Sequence, residues 1–472
     1  MKEMRALDVS RAVDGQLAAD GNIMIRSVST DTRSLEPGCL FVAIRGERFD
    51  GHSFIQEALD KGAALVIAEK GANVPEGAPV VLVDDTVRAL GRLAEYHRSR
   101  FDIPVVAVTG SVGKTSTKEM IAATLSAKLK VHKSRGNFNN EIGLPLSVLE
   151  LDESHQAAVF EMGMRGFGEI DYLSRIVRPD IAIITNIGIS HIERLGSRQN
   201  ILKAKLEIIR WMKDGGVLIL NGDDELLSGL RGLLEQKTLF YGMDESCDVR
   251  ANDLLSKGEE GVSFSVRYKG REHRYFVPAP GIHNVQNALA AISAALVLDF
   301  DDETIERGLL SYTGDRMRMN ITEVDGIKVI NDAYNAAPAS VSSAIRVLCE
   351  IGAGRRKWAV LGDMLELGDW AEEAHREIGM QVAEAGIDYL VAVGDLARWY
   401  VEGALDHGMP LENTRLFQDA DDARAFISQK IAKGDVILFK GSRKMNLDVL
   451  ADRLFGGREP GPQDTSSQDK RG

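Results

Sequence analysis

Short runs of apolar residues, many of them β-branched, recur along most of the chain and alternate with stretches that have helical spacing. Unbroken apolar runs predict strands that are buried on both faces, and intervening helices predict parallel sheets. The clearest runs are 39–44, 64–67, 80–83, 105–108, 157–160, 181–184, 217–220, 328–330, 358–361, 389–393 and 436–439. The pattern therefore predicts an α/β protein.

One glycine-rich turn lies between the predicted strand 105–108 and a helix-compatible stretch over 116–129. It consists of Thr109, Gly110, Ser111, Val112, Gly113, Lys114 and Thr115. In such a turn, backbone N–H groups converge on phosphate oxygens and the helix dipole adds partial positive charge. Lys114 can reach the β- and γ-phosphates, and the Thr115 hydroxyl can bind Mg²⁺. Val108 stands where the standard spacing has a glycine, but the strand context and the Gly-Lys-Thr end still predict ATP or GTP binding.

The 472 residues are too many for one ordinary domain. We expect a small N-terminal α/β domain over 1–100 and a central mononucleotide-binding parallel-sheet domain, built on this phosphate loop (P-loop), over 101–313. A C-terminal Rossmann-like domain is expected over 314–456, followed by a disordered tail over 457–472 that is rich in Gly, Pro, Ser and Gln. A polar stretch over 244–277 predicts hairpins attached to the central sheet.

Charge and cysteine usage exclude several classes of protein. The formal net charge of −13 disfavours a nucleic-acid-binding protein, because neutralising phosphates requires a basic surface. The three cysteines are far apart, which is typical of a reducing compartment. There is no apolar run long enough to span a bilayer and no signal-peptide pattern, so we expect a cytoplasmic protein without membrane insertion.

Two polar residues follow predicted strands of the central region. Glu161 comes directly after the run 157–160, and a carboxylate beside a phosphate loop is well placed to bind Mg²⁺, which prefers oxygen ligands. His191 follows the run 181–184. Imidazole is not the usual ligand of Mg²⁺, so spacing alone favours a structural role for His191.

Other polar residues are individually weaker candidates. The loop 136–145 contains Asn139 and Asn140, whose amides can bind carboxylates or phosphates or can form a turn. Asn284 and Asn287 share one helix face, which suits either an adenine or a helix cap. Arg316 and Arg318 can bring positive charge to a phosphate, and Asp332 follows a strand and can hold a ribose hydroxyl. Lys203 and Lys205 lie two apart on a helix, so at most one can face the site, and solvated lysines are the simpler interpretation.

Taken in order, these segments resemble the Mur ligases, the ATP-dependent enzymes that form amide bonds in peptidoglycan precursor synthesis. The matching blocks are 31–33, 37–43, 46–52, 109–115, 137–145, 283–290, 331–338, 360–368 and 440–443. The blocks 49–52 and 361–368 resemble the family member that adds a dipeptide. The family usually has Asn-Ala-Asn-Pro where this chain has Asn335, Ala336, Ala337 and Pro338.

The resemblance implies a reaction. ATP would phosphorylate the terminal carboxylate of UDP-N-acetylmuramoyl-tripeptide, and the amine of D-alanyl-D-alanine would attack the acyl phosphate, with release of ADP and phosphate. Lys114 and two Mg²⁺ ions would offset the charge repulsion. Thr115 and Glu161 would bind the first ion. His191 would bind the second together with a carbamylated lysine, placed at Lys205 with Lys203 as the alternative.

The resemblance also implies roles for the remaining candidates. Asn284 and Asn287 would contact adenine, Arg316 the phosphates and Asp332 the ribose. The predicted substrate-binding residues are Thr30, Asp31, Arg33, Gly46, Asp50, His52, Asn139, Asn140 and Asn335. We expect a monomer whose partners are these two small-molecule substrates. Two alternatives remain open from the sequence, namely a Mur-type ligase that adds a single amino acid and a non-catalytic nucleotide-binding regulator.

Overall fold

The computed structural model describes residues 1–46, 49–314 and 318–456. The tail predicted over 457–472 and the candidate Arg316 lie outside these ranges. Within the described ranges the strands form three large sheets, one in each of the predicted regions, and a two-stranded ribbon near the N-terminus. The predicted three-part α/β architecture is confirmed.

The N-terminal region is a small mixed sheet with helices packed on it. Its elements are β1 (Met4–Arg5), α1 (Ala6–Val13), β2 (Gln16–Ala18), β3 (Met24–Ile25), β4 (Val28–Ser29), β5 (Leu40–Val42), α2 (Ile55–Asp60), β6 (Leu65–Glu69), β7 (Val80–Val83) and α3 (Thr86–Arg98). The sheet order is β2-β7-β6-β5-β4, in which only β2 runs antiparallel to its neighbour. Asp85 caps α3 by accepting a hydrogen bond from the Arg88 N–H.

The central region follows α3. Its elements are β8 (Val105–Thr109), α4 (Lys114–Ser126), β9 (Val131–Lys133), α5 (Gly143–Leu149), β10 (Ala157–Glu161), α6 (Glu169–Val177), β11 (Ile181–Ile184), α7 (Ile192–Leu195), α8 (Arg198–Leu206), β12 (Val217–Asn221), α9 (Glu225–Ser228), β13 (Lys237–Gly242), β14 (Val249–Ser256), β15 (Val262–Tyr268), β16 (Arg271–Val277), α10 (Ile282–Val297) and α11 (Asp302–Leu310). The order is β16-β15-β14-β13-β12-β11-β8-β10-β9. The strands from β8 to β14 pair in parallel, whereas β15 and β16 add an antiparallel extension, as the polar stretch predicted.

The third region has a sheet of its own. Its elements are β17 (Asn320–Val324), β18 (Ile327–Asn331), α12 (Pro338–Ile351), β19 (Lys357–Gly362), α13 (Ala371–Glu384), β20 (Tyr389–Val393), α14 (Arg398–Asp406), β21 (Thr414–Phe417), α15 (Ala420–Lys430), β22 (Val436–Lys440) and α16 (Leu447–Phe455). The order is β17-β18-β22-β19-β20-β21, and β17 is the antiparallel edge strand of an otherwise parallel sheet.

The apolar cores show how the regions are joined. One buried cluster continues from the N-terminal sheet, through α3, into the central sheet, and includes Leu40, Leu93 and Phe160. The third region has separate clusters on the two faces of its sheet, around Leu438 and Phe439. Among the described helices, none combines the length and apolar character needed to cross a membrane.

Candidate functional site

A cavity of about 1460 Å³ lies where the three regions meet. Its wall includes Thr30, Asp31, Arg33, Gly46, Ser111, Val112, Gly113, Lys114, Thr115, Asn139, Asn140, Glu161, His191, Asn284, Asn287, Asp332 and Asn335. Carboxyl ends of parallel strands supply much of this wall, because β8, β10 and β11 are neighbours in the central sheet. Most of the residues that the sequence singled out therefore lie around one space.

The phosphate loop is held against the end of β11. Gly110 has φ +152°, and a Cβ there would overlap the Thr185 hydroxyl, so this position requires glycine. The Val112 N–H donates to Asn186 Oδ1 at 3.0 Å, and the Thr185 hydroxyl donates to the Val112 carbonyl at 2.7 Å. Thr109 is fully buried below the loop, and its hydroxyl donates to the Met162 carbonyl. The loop conformation is therefore fixed by the protein itself.

Lys114, the first residue of α4, folds back over this loop. Its ammonium donates to the carbonyl oxygens of Gly110 at 2.9 Å and Ser111 at 3.2 Å. The positive charge of Lys114 is thus held at the mouth of the loop, where the sequence places the β- and γ-phosphates.

Glu161 and Thr115 form a buried pair of oxygen donors. The Thr115 hydroxyl donates to Glu161 Oε2 at 2.8 Å, and Asn139 Nδ2 donates to Glu161 Oε1 at 2.7 Å. Glu161 is 2% exposed. Asn139, predicted to bind substrate, here orients the Glu161 carboxylate. Arg318 adds a cation from the third region, because its Nη2 donates to Thr115 Oγ1 at 2.9 Å.

The oxygen pair fits a magnesium ion that also takes ligands from a nucleotide. In the part of the chain that the structure describes, no three His, Cys, Asp or Glu side chains gather as a metal cage. Mg²⁺ is commonly bound by one or two protein oxygens together with substrate phosphates and waters. A hydroxyl and a carboxylate beside a phosphate loop are a donor set of this kind.

The two candidate lysines of α8 have opposite environments. Lys203 is exposed, whereas Lys205 is buried and is not among the residues that line the cavity. Burial, with a smaller contribution from the Lys114 charge, lowers the pKa of Lys205 well below its usual range. None of the described residues forms a hydrogen bond or ion pair with the Lys205 amine. A neutral amine at this position is a nucleophile, which is the chemical requirement for carbamylation.

His191 lies in the cavity wall at the start of α7, with a left-handed backbone at φ +63°. Its Nδ1 is 2.5 Å from Glu366 Oε2 of the third region. The hydrogen bond with His191 lowers the pKa of the Glu366 carboxyl, so Glu366 is a carboxylate near neutral pH. Sequence reasoning missed Glu366, although it lies within the block 361–368 that marked the resemblance.

Asn284 and Asn287 line the cavity, but their side chains also connect two helices. Asn284 Nδ2 donates to the Pro280 carbonyl at 2.9 Å, and Asn287 Nδ2 donates to Asn284 Oδ1 at 3.0 Å. Asn287 Oδ1 accepts a hydrogen bond from the Thr117 hydroxyl, which lies on α4. The pair therefore attaches α10 to the helix that follows the phosphate loop, and its contact with adenine stays a prediction.

In the third region, Asp332 pairs with the buried Lys440, whose Nζ lies 2.5 Å from Asp332 Oδ2. Lys440 also donates to the Asn335 carbonyl at 3.1 Å. Ala337 stands before α12 and has no side chain that can cap it. Ser340 supplies only the reciprocal contact of a capping box, because its hydroxyl accepts a hydrogen bond from the Ala337 N–H at 3.0 Å. The roles of Asp332 and Asn335 toward ligands stay predictions.

In the N-terminal region, Thr30, Asp31, Arg33 and Gly46 reach the cavity, and the others predicted there do not. Asp31 pairs with the Arg33 guanidinium at 2.7 Å. His52 is buried, with Nδ1 2.6 Å from Asp50 and Nε2 accepting a hydrogen bond from the Glu69 N–H. Asp50 and His52 are outside the described cavity wall and brace it from behind. Asn140 lines the cavity and accepts a hydrogen bond from the N–H of Gly143 at the start of α5.

Comparison with protein families finds three matching models along the chain. They are the Mur ligase family catalytic domain over residues 24–98, the Mur ligase middle domain over 108–295 and the Mur ligase glutamate ligase domain over 317–443. The phosphate loop, Glu161, His191 and Lys205 all lie within the middle-domain match.

Similar proteins cover nearly the whole chain. UDP-N-acetylmuramoyl-tripeptide–D-alanyl-D-alanine ligase of Bacillus subtilis is 43% identical over 454 residues, which are 95% of this chain and 97% of that protein. The crystal structure of MurF from Acinetobacter baumannii superposes with a TM-score of 0.88 at 34% identity, covering 96% of this chain and 99% of the other. MurF ligase from Thermotoga maritima in complex with ADP has a TM-score of 0.79 at 30% identity, covering 91% and 97%. This chain therefore belongs to the Mur ligase family.

Proposed function

We propose that the protein is the ATP-dependent ligase that adds D-alanyl-D-alanine to UDP-N-acetylmuramoyl-tripeptide in peptidoglycan precursor synthesis, with release of ADP and phosphate. The observation that carries the proposal is a shared cavity in which the phosphate loop, the Thr115–Glu161 pair and His191 face residues of both flanking regions. The B. subtilis relative, which covers 95% of this chain, has the same named activity.

The reaction needs activation of a carboxylate, because an oxide is a poor leaving group. A carboxylate oxygen of the tripeptide attacks the γ-phosphorus of ATP, the bond to the β,γ-bridging oxygen breaks, and ADP leaves. The amine of D-alanyl-D-alanine then attacks the acyl carbon and loses a proton, and phosphate departs. The loop amides and Lys114 hold the phosphates where negative charge accumulates. Enclosure by three domains would exclude water from the acyl phosphate.

The metal sites are part of this proposal. Thr115 and Glu161 would hold one Mg²⁺, and His191 and a carbamylated Lys205 would hold a second. Bound Mg²⁺ neutralises charge on the phosphates and on the attacking carboxylate. An ammonium at position 205 would repel the ion, whereas a carbamate would offer anionic oxygens. The buried, neutral-favouring position of Lys205, compared with the exposed Lys203, supports this assignment.

The substrates would bind in separate parts of the cavity. Thr30, Asp31, Arg33 and Gly46 would hold the uridine diphosphate, with Asp50 and His52 supporting them from behind. Asn284, Asn287, Arg316 and Asp332 would hold the nucleotide, and Asn139, Asn140 and Asn335 would contact the substrates. We further propose domains over 1–100, 101–313 and 314–456, a cytoplasmic location and a monomeric state. None of these placements invokes nucleic acid or membrane insertion.

The test is a coupled assay of ADP release with the two substrates supplied separately and together. The proposal requires that turnover depends on UDP-N-acetylmuramoyl-tripeptide and D-alanyl-D-alanine jointly. Turnover with a single amino acid instead would favour another Mur-type ligase. If no amine and no UDP-linked peptide supports any ATP turnover, the catalytic proposal is wrong and a nucleotide-binding regulator becomes the better hypothesis.

A further inference from the structure

Glu366 reaches the cavity wall of the central region from the third sheet. Its carboxylate lies 2.5 Å from His191 Nδ1, and both residues have left-handed backbones, at φ +64° for Glu366 and +63° for His191. For residues other than glycine this conformation costs energy, and it persists where the surrounding structure imposes it. Two such residues that meet across a domain boundary indicate a contact that the fold maintains.

The loop that carries Glu366 is anchored on three sides. The Met364 N–H donates to His375 Nε2 at 3.0 Å, and the Leu365 N–H donates to the Ser442 hydroxyl at 2.9 Å. Asp363 accepts a hydrogen bond from the Ala397 N–H at 2.7 Å. Glu366 is therefore presented by a rigid support that belongs wholly to the third region.

The central region also packs closely against this loop. A Cβ at Gly368, which has φ +53°, would meet the Glu193 side chain at 3.1 Å, so the chain passes α7 closely two residues beyond Glu366. Arg165 and Arg194 lie near the Glu366 carboxylate and add positive charge around it. The Glu366 side chain thus meets the His191 imidazole in a close contact between the two regions.

The hydrogen bond determines which ring nitrogen can bind a metal ion. A carboxylate accepts hydrogen bonds and cannot donate one, so Nδ1 of His191 carries the proton. In the neutral imidazole, Nε2 is then the nitrogen that offers a lone pair to a metal ion. In metal sites, a carboxylate on the second nitrogen fixes the orientation and tautomer of a ligating histidine and makes it more basic.

We propose that Glu366 is a positioning residue that prepares His191 for the second metal ion only when the third domain is docked. The proposal rests on the metal-binding role of His191 in the proposed function. It links domain closure to assembly of the site, because the ligand and the group that orients it belong to different domains. Glu366 itself does not contact substrate or metal in this assignment.

The test measures metal binding directly. Mn²⁺ binding is followed by electron paramagnetic resonance in the presence of a non-hydrolysable ATP analogue. We expect wild type to bind two ions, and Glu366→Ala to weaken the weaker site about 10- to 100-fold while the tighter site is unchanged. Glu366→Gln keeps a hydrogen-bond acceptor for His191 Nδ1, so its affinity for Mn²⁺ at the weaker site should fall less than that of Glu366→Ala. Glu373→Ala removes an exposed carboxylate on α13 that forms no ion pair with a described residue, and this variant should match wild type.

Each other outcome overturns the inference. Unchanged Mn²⁺ binding in Glu366→Ala shows that the contact does not position the ligand. Loss of both ions, or of nucleotide binding, shows a general disruption. If Glu366→Ala does not fold, the inference requires Glu366→Gln to bind the second ion more weakly than wild type, and equal binding overturns it. Steady-state kinetics should show a fall in kcat with little change in KM for ATP. Wild-type ADP release is measured in parallel, so that failure of the proposed function is seen separately.

Discussion

The two sides of the candidate site are built differently. On the phosphate side, the loop and Thr115 follow β8, Glu161 ends the neighbouring strand β10, and buried hydrogen bonds fix them. On the His191 side, the key contact joins the central region to a loop of the third region. The first side depends on one sheet, and the second depends on how two sheets are docked.

The packing explains this difference. The N-terminal and central regions share a continuous apolar core, whereas the third region has its own clusters. The contacts that join the third region to the central one include ionic and polar pairs, namely Arg318–Thr115, Lys328–Glu259 and His191–Glu366. Polar interfaces of this kind allow domains to move relative to one another. The phosphate side is therefore preformed, and the His191 side is conditional on docking.

The strongest test of the preformed side is Lys114→Ala. We expect ATP turnover to fall by at least a hundred- to a thousand-fold, because the charge that stabilises the transferring phosphoryl group is lost. The unfolding temperature should stay near that of wild type, since Thr185 and Asn186 still hold the loop when the two Lys114 hydrogen bonds to it are lost. Lys130→Ala removes an exposed lysine four residues after the end of α4 and serves as the control. Full activity in Lys114→Ala would contradict the assigned role.

Lys205 and Lys203 offer a matched pair on one helix. We expect Lys205→Ala to lower kcat by about a hundredfold, and Lys203→Ala to have almost no effect because its side chain is in solvent. Wild type supplied with ¹³C-bicarbonate should give a carbamate signal by ¹³C NMR, and that signal should be absent only in Lys205→Ala. A signal that persists in Lys205→Ala and disappears in Lys203→Ala would reverse the assignment.

The preformed side was also the easier one to predict from the sequence. The loop 109–115 and Glu161 follow apolar strands directly, so local pattern alone placed them at one sheet edge. The structure adds the reason for glycine at position 110, namely the hydroxyl of Thr185 directly after β11. The local sequence therefore contained most of the information about the phosphate side.

The conditional side could not be read in the same way. From spacing alone, His191 looked structural and the two lysines of α8 were equivalent, because burial depends on tertiary packing. Glu366 lies 175 positions after His191 in the chain, and no local pattern connects them. Asp50 and His52 belong to a distinctive block but lie outside the cavity wall, and their role toward the substrate stays a prediction. Local patterns in a single sequence do not show which residues of different domains contact one another.

Arg318 lies between the two sides and should give a smaller effect. Its guanidinium donates to Thr115 and lies 4.3 Å from the ring centre of Tyr334. We expect Arg318→Ala to lower kcat/KM for ATP about tenfold, since one charge-assisted hydrogen bond is lost. Arg318→Lys keeps the positive charge, so its kcat/KM for ATP should lie between those of Arg318→Ala and wild type. Equal values for wild type and Arg318→Ala would show that docking does not influence the oxygen pair.

Acid should loosen the conditional side through His375, the residue that holds the loop of Glu366. Burial lowers the pKa of His375 to about 4, and in its neutral form Nε2 accepts the Met364 N–H while Nδ1 donates to the Ala371 carbonyl. The unfolded chain takes up the proton near pH 6.5 and the folded one near 4. This contribution to stability is therefore complete above pH 6.5 and lost progressively as the pH falls to about 4.

The matched variants are His375→Gln in the third region and His132→Gln in the central region, where burial also lowers the pKa of His132 to about 4. Each should flatten the acid decline in the free energy of unfolding, by on the order of 2–3 kcal/mol over the whole window. Amide hydrogen exchange of residues 363–367, followed from pH 8 to 5 and corrected for intrinsic rates, distinguishes them. In wild type and His132→Gln the loop should lose protection in acid, whereas in His375→Gln its protection should vary little with pH. An identical response in all three proteins would mean that the Glu366 loop is held by Ser442 and Asp363 alone, and the two sides of the site would then differ less than their packing implies.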